Sequence, residues 1–322
     1  VEWMKRWLRE VVDDSGSWPE SAHYARVSWA DFVDVAILAR NRGMHDFFSD
    51  PKFRKMALFY EKTMMPPHPL RLNGAPPAPA RVTALYGRGT RMDAWGGMAS
   101  ALAAVSAGND PAFSRVMQWC WKETGWSEMF SHSTAGMTAL LADRSLPAEA
   151  PSWESERLPT LGYLLRSGVG TPAESYLLFV TEYMRSPDGE IWPPDTGSIA
   201  GWYALGKPLA GAFSRAPETA HSVTVNRVLP AVNWDPASGA SVQGAGFVTS
   251  SRHDGAAFLP GADYANVLFD VWSNRDFWLS IPKEMPGLPK RQREGRTPYK
   301  WRRQLWRVDG TRGDGPSYLA LR

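Results

Sequence analysis

The sequence lacks several features that would assign a protein to a class at once. It contains one cysteine, Cys120, which excludes a framework of disulfide bonds. No apolar run approaches the roughly 20 residues that a membrane-spanning helix needs, and the first residues do not have the pattern of a secretory signal peptide. The net charge of +3 is too small to indicate a polyanionic partner by itself. We therefore expect no membrane as a partner.

The length of 322 residues fits one large domain or two ordinary ones, and we expect two. Cys120 lies between tryptophans in a run of helical pattern, which is typical of a buried small hydrophobic residue rather than a nucleophile. The chain begins at Val1, and residues 317–322 resemble a strand interrupted in its middle. We expect the chain to be a segment of a longer protein.

Basic residues are concentrated between Lys290 and Arg307, where Glu294 is the one acidic residue. No helix-turn-helix, zinc-finger or RRM pattern accompanies them, and we expect no nucleic-acid partner. An anionic polysaccharide fits this stretch, as does a basic loop followed by a strand with one solvated face. In that strand we expect Trp301 to point inward and its neighbours outward. The chain has 16 tryptophans, and exposed indoles can stack on sugar rings, although many belong to the core.

The first part of the chain, to about Leu146, has apolar residues at intervals of three and four, which is typical of helices. Turn residues separate these runs, and a Pro-rich segment at 66–80 indicates an ordered surface loop of the kind that lines sites. Short connections between helices favour antiparallel pairs. The predicted helices are Trp3–Val12, Trp29–Arg42, Asp50–Thr63, Met92–Ala107, Pro111–Thr124 and Thr134–Asp143.

After a linker at 147–156 the sequence changes to short β-branched and aromatic runs separated by turn residues. Strands without helices between them indicate an antiparallel sheet system, and we expect a sandwich. We predict an α+β, multidomain fold, with a helical domain at 1–150 and an antiparallel β-sheet domain at 151–322. The predicted strands are Gly162–Ser167, Ser175–Tyr183, Ser198–Leu205, Ser222–Val228, Ala240–Ser250, Ala256–Leu259, Tyr264–Ser273, Tyr299–Val308 and Ser317–Leu321.

The segment at 13–24, DDSGSWPESAHY, carries the most informative chemistry. It closes a helix with turn residues and then places Glu20, His23 and Tyr24 within five positions. A carboxylate, an imidazole and a phenol so close together suit proton transfer where the site lowers the pKa of the phenol from about 10. In the structural alternative, Tyr24 is a half-buried aromatic residue and Glu20 a capping residue.

Several short segments, taken in order along the chain, resemble the heparinase II/III-like polysaccharide lyases. SGSWPESAHY at 15–24 stands at a helix connection, and PPHP at 66–69, through Gly74 and on to Gly87, resembles the family's Pro-rich loop. Gly162–Ser167 resembles the opening strand of its β domain. Other segments of this kind are Asp195–Ser198, Gly206–Leu209, Ala220–Val225, Trp301–Gln304 and Ser317-Tyr318. Each piece is unspecific, but their order is characteristic.

The resemblance implies an incomplete (α/α) toroid followed by a multi-sheet β domain, in a fragment that lacks N-terminal helices and C-terminal strands. It also implies β-elimination next to a uronic acid, in which a base removes the C5 proton and an acid protonates the departing O4. Tyr24 matches the catalytic tyrosine as general acid, with the role of base left open, and His23 or His221 would assist it. The partner would be an acidic polysaccharide or oligosaccharide, in the periplasm or outside the cell.

The chain departs from the family pattern before the Asp-x-Gly-Ser segment. Relatives carry a His-x-His pair there, whereas this sequence has Ile191 and Pro193, which cannot titrate. The ligands of a structural zinc in relatives would map to Pro193, about Ala212, and His221, and one histidine cannot hold zinc. We therefore predict no metal and no cofactor. His221 is then either a buried strand residue or a substrate contact.

Three further side chains are candidates for contact with the glycan. Arg88 and Arg91 follow the Pro-rich segment, and a guanidinium matches the geometry of a uronate carboxylate. In the alternative they are solvated surface residues. Trp192 stands where a histidine is expected and could either stack on a sugar ring or fill the space of the missing imidazole.

Two acidic residues have a similar choice of roles. Asp195 is a candidate substrate contact, and it could instead pair with Arg166 inside the β domain. Glu20 is a candidate substrate contact as well, and it could orient Tyr24 or cap a helix that begins near Ser28.

Three functions compete for this sequence. The first is a lyase in which Tyr24 is the acid. The second is a catalytically degenerate glycan-binding protein on the same fold, which the loss of the His-x-His pair favours. The third is a hydrolase, which needs two opposed carboxylates at a defined separation. Glu20 and Asp93 are available for that role, but nothing in the sequence pairs them.

Overall fold

A computed structural model describes residues 1–17, 22–68, 79–84, 86, 96–127, 140–182, 197–211, 246–273, 299–308 and 318–321. Five α-helices of this part of the chain lie between residues 2 and 123, and nine strands lie between residues 156 and 321. The helices are α1 (Glu2–Glu10), α2 (Ala22–Asn41), α3 (Pro51–Lys62), α4 (Gly97–Ser106) and α5 (Pro111–Glu123), with a 3-10 turn at Phe47–Ser49. The helix-then-strand order agrees with the predicted α+β class. The toroid and the domain boundary near residue 150 stay predictions.

Two helices begin at an Asp-Pro pair, as their sequences indicate. Asp50 caps α3 by accepting a hydrogen bond from the backbone N–H of Lys52 at 2.8 Å. Asp110 caps α5 by accepting one from the backbone N–H of Phe113 at 3.1 Å. The proline after each aspartate suits the first helical position, because an N–H there has no partner within the helix. These local signals explain why the predicted starts of α3 and α5 are correct within one residue.

The helix α2 begins at Ala22, seven residues before the predicted start at Trp29. Its first turns are mostly polar, so the apolar period becomes visible only at Trp29. The predicted helix start near Ser28 is wrong, because α2 continues through Ser28, whereas a capping role of Glu20 stays a prediction. The buried face of α2 recurs at helical spacing and consists of Ala25, Trp29, Phe32, Val33, Ala36, Ile37 and Ala39.

The other predicted helices differ from the observed ones mainly at their ends. α1 ends at Glu10, two residues before the predicted end, and α4 begins at Gly97 rather than Met92. The predicted helix Thr134–Asp143 lies mostly outside the described residues.

The strands form two antiparallel sheets. The first sheet has the order β1-β2-β3-β4-β5, and the second has the order β6-β7-β8-β9. Within each sheet, every strand pairs with the next along the chain, as predicted for strands without intervening helices. Their bounds are β1 (Glu156–Leu158), β2 (Gly162–Ser167), β3 (Ser175–Val180), β4 (Ser198–Ala204), β5 (Lys207–Gly211), β6 (Gly246–Leu259), β7 (Ala262–Ser273), β8 (Tyr299–Val308) and β9 (Tyr318–Leu321).

The first sheet is buried on both faces. One face packs into the helical core through Leu164, Tyr176, Leu178, Val180, Ala200 and Tyr203. The opposite face packs against the second sheet, and this smaller core consists of Tyr163, Leu165, Leu177, Phe179, Ile199, Ala265, Val267, Phe269 and Leu305. All six residues of β3 are buried, which explains why its sequence SYLLFV is apolar without alternation. The described residues thus form three layers: helices, first sheet, second sheet.

Most strands occur where they were predicted, and β2 and β8 have the predicted bounds. The predicted strands ending at Ser250 and beginning at Ala256 are one strand, β6, because a bulge near Gly255 keeps the ladder continuous. The short strands β1 and β5 were not predicted. The predicted strand Ser222–Val228 lies outside the described residues.

The basic strand β8 is mainly structural. Arg303 and Arg307 are 4% and 5% exposed, and they share the inward parity of Leu305. Arg307 pairs with Asp263 at 2.5 Å, and Arg303 donates to the backbone oxygen of Gly197. Two arginines of the basic stretch are therefore committed inside the protein. The prediction that the neighbours of Trp301 point outward holds for Arg302, which is exposed, while the side chain of Trp301 is outside the described part of the structure.

Two further predictions concern the helical part. Cys120 is a fully buried residue of α5, which agrees with its interpretation as a small hydrophobic residue. Among the described residues, no helix combines the length and the apolar character needed to cross a bilayer.

Candidate functional site

One end of the first sheet lies against the segment that leads into α2. At this end β2 and β4 begin and β3 ends. Thr181 N donates to Leu161 O at 3.0 Å, and Gly197 N donates to Val180 O at 2.7 Å, so backbone hydrogen bonds hold these chain ends together. We call this the Thr160 end, after the residue in the turn between β1 and β2.

The loop between α1 and α2 is held by Asp13. Its Oδ1 accepts hydrogen bonds from the backbone N–H groups of Ser15 at 2.8 Å and Ser17 at 3.0 Å. The backbone N–H of Asp13 in turn donates to Ser17 O at 2.9 Å. The loop is therefore a closed turn of defined shape, as the Asp-Asp-Ser-Gly sequence indicates.

Gly16 brings this loop close to α3. It has a φ of +91°, and a Cβ at this position would lie 2.2 Å from the carbonyl carbon of Lys55. Only glycine fits both the backbone conformation and the close approach. Ser17, the next residue, is 1% exposed, and its hydroxyl hydrogen-bonds with the hydroxyl of Thr160. The loop thus joins the helices to the Thr160 end of the first sheet.

Two of the predicted site residues lie in the first turn of α2. These are His23 and Tyr24, six and seven residues after Ser17. Their backbone belongs to the helix, whereas their side chains are outside the described part of the structure. The remaining predicted site residues lie outside the described residues altogether: Glu20, Arg88, Arg91, Trp192, Asp195 and His221. All of these roles stay predictions.

The base of the predicted Pro-rich loop is closed by antiparallel contacts. Met64 bridges Thr83 and His68 bridges Ala80, with His68 N donating to Ala80 O at 2.9 Å. His68 is 4% exposed, and its ring meets the ring of Tyr203 edge to face at 6.4 Å. Burial raises the pKa of the Tyr203 hydroxyl, which keeps it protonated. The arm that carries His68 therefore rests on strand β4 of the first sheet.

A phenol, an imidazole and a carboxylate meet between the two sheets. Tyr163 Oη lies 2.8 Å from His253 Nδ1. His253 Nε2 approaches Glu182 Oε1 at 2.7 Å, outside hydrogen-bond alignment, so this contact is an ion pair when the ring is protonated. Burial raises the pKa of Tyr163, the charge of Arg157 opposes this and the charge of Glu182 adds to it. The group ties β6 of the second sheet to β2 and to the end of β3.

This group was not predicted from the sequence. Tyr163 and His253 are 90 residues apart, and each lies within a strand pattern that gives no sign of its partner. Because Tyr163 is 1% exposed, its phenol is a structural hydrogen-bonding group rather than one that meets a substrate. The cluster can hold a proton between phenol and imidazole, and its physical effect is to fix the Thr160 end.

A buried ion cluster joins the helices to the β2–β3 turn. Arg81 binds Glu174 with both terminal nitrogens, at 3.0 and 2.5 Å, and its Nε binds Glu123 at 3.0 Å. Arg166 also donates to Glu174, to Oε1 at 2.9 Å. The guanidinium of Arg81 also lies 4.8 Å from the ring of Trp119. Arg166, predicted as a partner of Asp195, thus has Glu174 as its acidic partner among the described residues.

The ion cluster shifts the pKa values of its members. Burial alone would raise the pKa of Glu174, but the hydrogen bonds and charges of Arg81 and the charge of Arg166 lower it. Burial would lower the pKa of Arg81, and Glu174 and Glu123 outweigh that effect and raise it. Arg81, Arg166 and Glu174 are each 2% exposed or less. Their charges are therefore fixed in the folded protein, and the cluster has a structural role.

The described residues offer no site for a bound metal. Among them, no group of three or more His, Cys, Asp or Glu side chains is placed to hold an ion. The position of the relatives' zinc site, at His221, lies outside the described residues, so its predicted absence here stays a prediction.

Comparison with known proteins places this arrangement in a fold group. No protein-family model matches the sequence, and no curated protein matches it. A solved structure named heparinase III, the BT4657 gene product, is similar with a TM-score of 0.51 and 14% sequence identity. The similarity covers all of this chain and 40% of that one, so this chain spans well under half the length of its neighbour. The chain therefore has a distant heparinase-like fold.

Proposed function

We propose that this chain belongs to the heparinase II/III-like polysaccharide lyases and that it cleaves a uronic-acid-containing glycan by β-elimination. The similarity to heparinase III carries this proposal, because it extends over the whole chain and includes both the helices and the sheets. The short segments that resemble the family, from SGSWPESAHY to the strands after residue 300, follow one another in the family's order and support the proposal independently.

The contact between Ser17 and Thr160 supports a cleft at the Thr160 end. This contact brings the segment before α2 to the end of the first sheet at which β4 begins. Tyr24 follows Ser17 by seven residues, and Asp195 precedes the first residue of β4 by three. The closeness of these two residues in the chain to the Thr160 end supports the proposal that the acid and the substrate contact belong to one site.

In the proposed reaction Tyr24 protonates the departing O4 as the C5–H bond is broken. The C5 proton passes to the base, which is His23, His221 or Tyr24 itself, and the electrons of the C5–H bond form the C4–C5 double bond as the C4–O4 bond breaks. Neutralisation of the uronate carboxylate, with stabilisation of the charge that develops on it, would lower the barrier more than any other effect. Arg88 and Arg91 are the candidates for that role, because a guanidinium forks onto a carboxylate.

Three more residues complete the proposed cleft. Glu20 would orient Tyr24 or contact the sugar, Trp192 would stack on a ring, and Asp195 would accept hydrogen bonds from sugar hydroxyls. Since polymeric glycans are encountered outside the cytoplasm, we propose a periplasmic or secreted location.

The test is an elimination assay with purified protein. Alginate, heparan sulfate and hyaluronan are supplied separately, and the ultraviolet absorbance of the unsaturated product is followed. We expect Tyr24→Phe to lower the rate by about 10²–10⁴-fold, the range for a lost acid–base group. Tyr264→Phe is the matched control, because Tyr264 is a partly buried tyrosine of β7 on the outer face of the second sheet.

Three results would decide the matter. An absorbance signal that Tyr24→Phe abolishes and Tyr264→Phe preserves supports the lyase. New reducing ends without unsaturation would show hydrolysis instead. Equal rates for the wild type and Tyr24→Phe would remove Tyr24 from the chemistry.

A catalytically degenerate glycan-binding protein is the second candidate. The observation that favours it is the presence of Ile191 and Pro193 at the positions of the expected His-x-His pair. Such a protein would bind an acidic oligosaccharide without any change in absorbance. Equilibrium binding measured beside the elimination assay separates the two candidates.

A further inference from the structure

A cavity of about 480 Å³ lies at the opposite end of β2 from Thr160. Three segments form it: the linker at 151–155, the turn that follows β2 at 167–169, and the turn between β6 and β7 at 258–261. Its volume is within the range of small-molecule sites. Since β2 rises by about 3.3 Å per residue, the cavity is about 17 Å along the strand from the Thr160 end. None of its lining residues is among those proposed for the lyase reaction.

The floor of the cavity is polar and ordered. Arg307 pairs with Asp263, and Ser155 Oγ donates to the same carboxylate at 2.7 Å. Ser155 Oγ also accepts from the backbone N–H of Arg166 at 2.8 Å. Arg307 Nη1 further donates to Ser167 Oγ at 3.2 Å. These hydroxyl groups and the ion pair thus bind one another and hold a polar floor of fixed shape.

The walls of the cavity are apolar. Phe258 and Leu259 are 39% and 62% exposed, although both are large hydrophobic side chains. Val169 and Trp153 line the cavity as well. An exposed apolar rim over a polar floor is the usual composition of a site for a small ligand. It suits a molecule with hydroxyl groups on its edge and C–H groups on its faces.

The charges of the cavity favour a neutral ligand. Its charged lining residues are Arg166, Arg307, Asp263 and Glu154, two of each sign, so the net charge is zero. Arg307 is held by Asp263 at 2.5 Å, and Arg166 is held by Glu174 at 2.9 Å. A ligand carboxylate would have to compete with these carboxylates for the guanidinium groups. A neutral ligand with hydroxyl groups carries no charge that needs a guanidinium partner.

We propose that this cavity is a binding site for a neutral mono- or disaccharide. The sugar would place a C–H face against Phe258 and Leu259 and its hydroxyl groups towards Ser155 and Ser167. The site is independent of the lyase proposal, because it uses other residues at the other end of the sheet. In a protein that degrades glycans it would hold a neutral part of the polymer or a released product.

The test is direct binding to the whole chain. Glucose, cellobiose, maltose and glucuronate are titrated by ligand-observed NMR, and thermal melting checks that each variant is folded. Ser152→Trp places a bulky ring at the mouth from an exposed linker position. Leu259→Ala shortens the apolar rim. Leu209→Ala is the matched control, since Leu209 is 52% exposed on the β4–β5 hairpin and is not a lining residue.

We expect a neutral sugar to bind with a Kd in the millimolar range, about 1–10 mM. Ser152→Trp should weaken binding by about tenfold or more and Leu259→Ala by about threefold, while Leu209→Ala leaves it unchanged. The proposal is overturned if no neutral sugar binds at about 20 mM, if the folded Ser152→Trp variant binds as the wild type does, or if glucuronate binds more tightly than glucose. None of these readouts depends on lyase activity.

Discussion

The hydroxyl of Ser17 hydrogen-bonds with the hydroxyl of Thr160, and this contact joins the loop before α2 to the turn that opens β2. Both residues belong to the part of the molecule where the proposed cleft lies. A change in either should therefore move the start of α2 relative to the first sheet, and with it the proposed acid Tyr24.

We expect Thr160→Val to raise the activation free energy of elimination by more than it lowers the free energy of unfolding. The lost hydrogen bond should cost about 0.5–1.5 kcal/mol of unfolding free energy, whereas a small displacement of a catalytic group can cost about 10²-fold in rate. Urea unfolding and the absorbance assay measure the two effects. Thr171→Val is the control, because Thr171 makes a hydrogen bond of 2.7 Å within the turn at the other end of β2. An unchanged rate in Thr160→Val would show that the contact does not position the site.

Gly16→Ala should destabilise the protein much more than Gly43→Ala. Both glycines have positive φ, +91° and +63°, so alanine is strained at each by about 1–2 kcal/mol. Only at Gly16 does the new Cβ meet backbone, 2.2 Å from the carbonyl carbon of Lys55, whereas nothing lies within 4 Å at Gly43. Thermal and urea melts of the two variants give the comparison. Equal losses of stability would mean that the loop can withdraw from α3 at no cost.

The free energy of unfolding should decrease in acid because Glu174 becomes protonated. The folded protein lowers the pKa of this carboxyl below its ordinary value of 4.5, so the unfolded chain takes up a proton at a higher pH than the folded one. The stabilisation by Glu174 is therefore complete above about pH 4.5. It is lost as the pH falls through the lower pKa that Glu174 has in the folded protein. Urea unfolding between pH 3 and pH 7 should show this loss, and Glu174→Gln should remove its part of the slope.

At neutral pH, Glu174→Gln should cost about 3–5 kcal/mol, because it removes the carboxylate that two buried guanidinium groups share. Glu149→Gln is the control. Glu149 pairs with Arg115 at 2.7 Å, but its side chain is 65% exposed, so the loss should be about 0–1 kcal/mol. Similar losses in the two variants would contradict a special role for the buried cluster.

The contact between Tyr163 and His253 should be worth a measurable coupling energy. Tyr163→Phe removes the hydroxyl that lies 2.8 Å from His253 Nδ1, at an expected cost of about 0.5–1.5 kcal/mol. A double-mutant cycle with His253→Ala isolates the interaction energy of the pair. Tyr264→Phe controls for the loss of a partly buried phenol, whose oxygen accepts from Gln304 at 3.1 Å. Additive effects of the two changes would show that the pair contributes nothing to the joining of the sheets.

The elements that could be predicted from the sequence are those with local causes. The Asp-Pro pairs at 50–51 and 110–111 begin helices because the cap and the first helical residue are neighbours in the chain. The strand β2 is bounded by glycine on one side and a turn on the other, and its predicted bounds are the observed ones. The start of α2 was missed because its first turns carry no apolar period.

The features that could not be predicted depend on partners far away in the chain. Arg307 lies in a basic stretch, yet it is buried because Asp263, 44 residues earlier in the chain, is its partner on the adjacent strand β7. His253 gives no sign in its own strand of Tyr163. At the candidate site, the turn before α2 could be recognised from its sequence, but its contact with Thr160, 143 residues away, could not. The roles of His23 and Tyr24 stay predictions.

The strand β3 has solvent on neither side, since it packs on the helices with one face and on the second sheet with the other. An isolated β portion would therefore expose the apolar face that the helices now cover, and an isolated helical portion would lose the partner of its own core. Truncation near residue 150 should yield pieces that aggregate. We therefore expect the helices and the sheets to unfold as a single cooperative unit, in one thermal transition rather than two.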